Sequence, residues 1–143
     1  MKQKYLDAHM KAAEVYSQLS SAKRLRVGCV VIKDNTIIGI GYNGMPSGWS
    51  NECEEILELH DDGGHITRTK PEVLHAETNS LAKIARSTNS SDGASMFITH
   101  APCLECAKLI HQAGINSVYY RNTYRDELGI NFLKKCAIEV QKI

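Results

Sequence analysis

An α/β fold, with helices covering a central sheet, follows from three properties of this chain. β-Branched runs alternate with segments whose apolar residues recur at helical spacing, the pattern of a sheet with helices packed on it. The length of 143 residues corresponds to about one domain, so residues 1–143 are expected to form one unit. A hydrophobic content of 43% can build a core that needs no metal to hold it together.

Each element has its own signal. Leu6, Met10, Ala13 and Tyr16 fall on one helical face and predict a first helix ending near Ser20 and Ser21. Val27–Ile32 and Thr36–Ile40 are β-branched runs joined by Lys33-Asp34-Asn35, which predicts a hairpin. Residues 42–74 read as a long polar connection, loosened by Gly44, Gly48, Gly63 and Gly64. Within it, Asn51-Glu52-Cys53-Glu54 has the spacing of a capping box and predicts a short helix carrying Cys53. A connection of that length in a compact domain is usually functional. Then come a helix from about His75 to Arg86, a strand over Ser95–Thr99 and a helix from Cys103 to Ala113, closed by Gly114 in a left-handed conformation. A strand over Ser117–Tyr120, a helix over Leu128–Lys135 and a short strand over Ala137–Val140 complete the order.

Composition excludes several classes. The formal net charge of +1 argues against a broad nucleic-acid-binding surface. No apolar run reaches membrane-spanning length, and Met1–Ser20 is amphipathic rather than a leader peptide. Five cysteines, two of them at metal-ligand spacing, fit reduced thiols in a cytoplasm better than a disulfide framework.

The chemistry is concentrated in His75-Ala76-Glu77 and Pro102-Cys103-Leu104-Glu105-Cys106, with Cys103 following His75 by 28 residues. One His and two Cys supply three metal ligands. A structural zinc is usually closed by four, whereas a catalytic zinc keeps one position for water. Cysteines at i and i+3 share a helical face, so Cys103 and Cys106 can reach one ion. Pro102 suits a helix entry, and a helix N-terminus favours the thiolate that zinc requires. Glu77 lies close enough to His75 to reach a water at the same ion. A lone C-x-x-C is often a structural half-site or a redox pair, but neither reading accounts for His75 and Glu77. A non-enzymatic zinc module would need a fourth protein ligand. The combined H-x-E and P-C-x-x-C pattern is that of zinc nucleobase deaminases.

With Arg24-Leu25-Arg26-Val27-Gly28, Gly39 to Pro46, His75 to Asn79, Ala101 to Lys108, Gln112 to Ile115 and Tyr124-Arg125-Asp126, the chain resembles the cytidine and deoxycytidylate deaminase superfamily. The Gly41-Tyr42-Asn43-Gly44-Met45-Pro46 stretch is similar to its deoxycytidylate branch. The resemblance implies a three-layer α/β/α fold around a five-stranded mixed sheet, and usually a homohexamer. It implies hydrolytic deamination of dCMP to dUMP with release of ammonia, which supplies the precursor of dTMP. In that chemistry one zinc ion, held by His75, Cys103 and Cys106, brings the pKa of water to about 7. Glu77 shuttles the water's proton to N3 and assists the departure of ammonia from C4. A related deaminase acting on a nucleoside, dCTP or a tRNA base is the alternative, the tRNA version being disfavoured by the charge balance.

The resemblance also implies substrate contacts. Asn43 would bond the sugar, although Asn43-Gly44 is equally a turn signal. The Ala76 N–H would meet the base carbonyl. Tyr124 would lie over the nucleotide or, equally, pack in the core. Arg24 matches the position of a 5′-phosphate ligand within the Lys23, Arg24 and Arg26 cluster, which otherwise reads as a solvated loop. Activation by dCTP and inhibition by dTTP would involve Tyr42, Asn43, Gly44 and Arg86, with Mg2+ accompanying the triphosphate. A second, structural zinc at Cys53, His60 and His65 is disfavoured, because their spacing matches no compact zinc pattern. Cys29 and Cys136 read as packing residues. Thr78 departs from the larger apolar residue common in relatives.

Overall fold

A computed structural model describes all residues, 1–143. The chain runs α1 (Gln3–Ser17), β1 (Gly28–Lys33), β2 (Thr36–Tyr42), β3 (Glu54–Leu59), β4 (His65–Thr69), α2 (Ala76–Ala85), β5 (Ser95–His100), α3 (Leu104–Gln112), β6 (Ser117–Asn122), α4 (Leu128–Lys135) and β7 (Glu139–Lys142). Five strands form one sheet in the order β2-β1-β5-β6-β7. β1 is antiparallel to β2 and to β5, whereas β5, β6 and β7 run parallel, so the sheet is mixed.

Alternation along the central strands builds two cores. Val30, Ile32, Phe97 and Tyr119 face α1 and pack with Leu6, Met10 and Ala13. Cys29, Val31, Met96, Ile98 and Val118 point the other way, into the core shared with Ile84 of α2, Ile110 of α3 and Leu133 of α4. A strand buried on both faces reads as a continuous apolar run, which is why β1 and β5 lack a polar face. The layering is therefore α/β/α, as expected. Cys29 is wholly buried, and Cys136 packs against the larger core.

Local backbone chemistry sets the turns. Asp34 and Asn35 both have positive φ, 50° and 57°, as a two-residue type I′ hairpin between β1 and β2 requires. Gly114, with φ 79°, ends α3 in the left-handed region. Ala137 also has positive φ, 59°. It closes α4, so the last strand starts at Glu139 rather than at Ala137.

The connection from 42 to 74 differs from expectation. It holds a β-hairpin, β3 against β4, whose strands pair only with each other. No helix forms at Asn51–Glu54. The Glu54 carboxylate instead accepts the backbone N–H groups of Lys23 and Arg24, at 2.8 and 3.0 Å. Cys53 is fully buried beside Ala22 and Val73 rather than carried on a helix. The hairpin escapes a sequence reading because its apolar residues, Ile56, Leu57, Leu59 and Ile66, are exposed and mark no buried face.

Candidate active site

Two helix N-termini bring their side chains to one point. His75 is the N-cap residue of α2 and Cys103 that of α3, both in extended backbone conformation. The expected helices therefore begin one residue late. Neither side chain caps its own helix. Both are free to point outward, and Cys106, one turn into α3, joins them.

The donor atoms converge. His75 Nδ1 lies 3.7 Å from Cys103 Sγ and 3.3 Å from Cys106 Sγ, and all three donors fall within 4.8 Å of one another. Tetrahedral zinc, with Zn–S about 2.3 Å and Zn–N about 2.0–2.1 Å, would set nitrogen and sulfur roughly 3.5 Å apart. The spacing fits that ion, and imidazole with two thiolates is the donor chemistry zinc prefers. The thiols share charge unevenly. Hydrogen bonds from the Cys106 thiol and then from His75 bring Cys103 down to about 4, while Cys106 is driven well up by its bond to Cys103 and by burial. Hydrogen bonding to Cys103 also raises His75.

Glu77 stands in the first turn of α2, only 4% exposed. Burial pushes its carboxyl up to about 7, against the opposing pull of its own backbone N–H and of His75. A carboxyl poised near neutrality is suited to taking and giving a proton. Thr78, the departure from the resembled family, donates its hydroxyl to the His75 carbonyl at 3.0 Å and so braces the ligand-bearing turn.

His75, Ala76, Glu77 and Cys103 line a cavity of about 700 Å³, a size usual for small-molecule sites. Arg24, Asn43 and Tyr124 line the same cavity, so four sequence-predicted substrate contacts gather around the metal site. Asn43 also does structural work. Its Nδ2 donates to Leu25 O and its Oδ1 accepts from Val27 N–H, both at 2.8 Å, tying the Arg24 loop to the end of β2. The next turn of chain is held from the other side. Gly44 exchanges backbone bonds with Leu74, and Asn79 Nδ2 donates to Tyr42 O at 2.8 Å.

Tyr42, Gly44 and Arg86 do not line this cavity. Tyr42 borders a shallower depression on β2, with the Lys83 ammonium 5.6 Å from its ring centre. Arg86 is exposed at the end of α2. His60 and His65 are exposed at the two sides of the hairpin loop, and Cys53 is sealed in its own small cluster.

Sequence reasoning missed several lining residues, among them Arg68, Thr69, His100 and Arg125. Arg68 and Thr69 come from the hairpin, whose existence had no signal. His100 ends β5, its Nδ1 3.0 Å from Thr99 Oγ1 and its pKa lowered by burial. Arg125 follows Tyr124, with its guanidinium 5.2 Å from that ring's centre and Nη2 donating to the phenol oxygen at 3.0 Å. Of these four, Arg125 had a signal, through the Tyr124-Arg125-Asp126 match.

Known proteins are similar to this chain in sequence and fold. The sequence model for the cytidine and deoxycytidylate deaminase zinc-binding region matches residues 2–122. Human deoxycytidylate deaminase is 42% identical over 115 residues, which cover 78% of this chain and 61% of that protein. ComE operon protein 2 of Bacillus subtilis is 38% identical over 106 residues, 74% of this chain and 53% of its own. The chain thus spans little more than half the length of these curated relatives. A dCMP deaminase of the cyanophage S-TIM5, solved in complex with dCMP and dUMP, superimposes with a TM-score of 0.88 at 47% identity, covering 100% of this chain and 99% of its own. No helix here is long and apolar enough to cross a membrane.

Proposed function

This chain belongs to the cytidine and deoxycytidylate deaminase family, and from that membership we propose that it hydrolyses dCMP to dUMP and ammonia. The observation that carries the reading is the buried Glu77 beside a three-donor zinc site, in a cavity that arginines border. A full-length match to a deaminase solved with dCMP and dUMP supports the choice of substrate.

His75, Cys103 and Cys106 would hold one zinc ion, which when bound would make water acidic enough to ionise near neutral pH. Glu77 takes the water's proton and passes it to N3 of the cytosine, as the water oxygen bonds to C4. The same carboxylate then moves the second proton from that oxygen to the 4-amino group. The C4–N bond breaks, ammonia leaves and the uracil carbonyl remains. The Ala76 N–H, at the start of α2, orients the base carbonyl, and Asn43 contacts the sugar while keeping its backbone bonds. Tyr124 covers the nucleotide. Arg24 receives the 5′-phosphate, and a charge-assisted bond there favours nucleotide over nucleoside by roughly 10- to 100-fold.

Regulation by dCTP and dTTP through the Tyr42–Gly44 segment and Arg86, Mg2+ carried by the triphosphate, assembly into a homohexamer and residence in the cytoplasm belong to the same proposal. Ammonia release from dCMP, deoxycytidine and dCTP, each with and without dTTP, tests it. Preference for dCMP and suppression by dTTP are expected. Equal turnover of deoxycytidine and dCMP would remove the phosphate from the recognition scheme.

A further inference from the structure

We propose that Arg68, on the β3–β4 hairpin, is a second phosphate ligand of this site, held ready by Glu55 until the nucleotide takes its place. The inference rests on the nucleotide-deaminase reading above and adds to it a residue from an element outside the main sheet. Three arginines, Arg24, Arg68 and Arg125, line one cavity, whose one lining carboxylate is Glu77. Two of the three are brought together by the hairpin. The Arg24 Nη1 donates to the carbonyl of Thr67 at 2.9 Å, one residue before Arg68. Glu54 and Glu55, adjacent on β3, divide the work. Glu54 grips the backbone of Lys23 and Arg24, and Glu55 pairs with the Arg68 guanidinium.

That last pair has the character of a placeholder. Arg68 and Glu55 are 57% and 36% exposed, and an ion pair as open as this contributes little to stability. A phosphate monoester offers a guanidinium more negative charge and more acceptor oxygens than one carboxylate does, in the fork geometry that arginine matches. Exchange of Glu55 for phosphate costs one weak pair and forms a stronger one. Arg68 therefore discriminates nucleotide from nucleoside alongside Arg24. Glu55 sets how tightly it does so, by competing for the same group.

The test uses the zinc-loaded full chain and titrates dUMP and deoxyuridine into wild type, Arg68→Ala, Arg68→Lys and Glu55→Gln, with melting curves as a check on folding. Arg68→Ala is expected to weaken dUMP 10- to 100-fold and deoxyuridine at least tenfold less. Arg68→Lys is expected to recover part of the loss, and Glu55→Gln to tighten dUMP above wild type. An unaltered dUMP affinity in Arg68→Ala, or equal losses for dUMP and deoxyuridine, would overturn the proposal. Because binding of product is read without turnover, an inactive wild type would sink the dCMP deaminase reading while these affinities still decide the role of Arg68.

Discussion

Gly41, near the end of β2, lies so close to the first turn of α2 that a Cβ built on it would stand 2.0 Å from the Ala76 carbonyl oxygen and 2.7 Å from the Ser80 nitrogen. Both are backbone atoms, which cannot rotate aside as a side chain can. The contact seats α2 directly on the sheet, and with it His75 and Glu77. Gly41→Ala must push the helix outward. Overpacking a core costs about 1–3 kcal/mol, and the upper end applies where the obstacle is backbone. The variant is expected to melt about 10 °C below wild type and to hold less zinc. Gly44→Ala, which meets nothing within 4 Å, should melt as wild type does. A Gly41→Ala protein with unaltered melting and full zinc would show that α2 is not anchored there.

Zinc retention should depend on Cys106 as strongly as on His75. Cys106 is buried and 3.3 Å from the imidazole, so its removal leaves two donors and a hole where the third stood. Cys106→Ala is expected to retain less than a tenth of wild-type zinc after dialysis, read by elemental analysis. Cys136→Ser, altered away from the site, should retain all of it. Full occupancy in Cys106→Ala would remove this thiol from the ligand set.

The site was legible because its ligands sit in short local motifs. His75-x-Glu77 and Cys103-x-x-Cys106 each fix a helix start, and the strand before the second, β5, is marked by a buried apolar run. The same logic revealed α4 at its observed bounds, since Ile130 and Leu133 return to one face. Residues whose roles depend on distant partners were not legible. Asn43 lies 16 and 18 positions from the backbone groups it holds, and Glu54 lies 30 from the Arg24 amide that displaces a helix at residues 51–54. Arg68 reaches the cavity only because a polar hairpin, with no buried face, places it there.

The amide of Asn43 should matter for architecture as well as for binding. It satisfies Val27 N–H and Leu25 O together, fixing the loop that carries Arg24. Asn43→Ala removes both bonds and is expected to cost about 1–3 kcal/mol, while raising KM for dCMP more than it lowers kcat. Asn43→Asp keeps the acceptor for Val27 but loses the donor to Leu25, so it should lie between wild type and Asn43→Ala in melting temperature. If both variants melt as wild type does, the clamp has no stabilising role.

Glu77 gives the most discriminating test, because chemistry and stability pull in opposite directions. Glu77→Gln preserves size but cannot accept or carry a proton, so turnover should fall by about 10²–10⁴ with zinc retained. In the metal-free protein the folded carboxyl titrates at about 7 against an ordinary value of 4.5. Between those values the folded chain keeps a proton that the unfolded chain has released. Stability must therefore fall as pH rises through that window, and by pH 8 the buried carboxylate costs about 3 kcal/mol. Glutamine escapes this cost. Metal-stripped Glu77→Gln should match wild type in urea midpoint near pH 4.5 and exceed it progressively toward pH 8. Parallel midpoints across that range would mean that Glu77 ionises without penalty, and so is too well solvated for the proton-shuttling role its burial suggests.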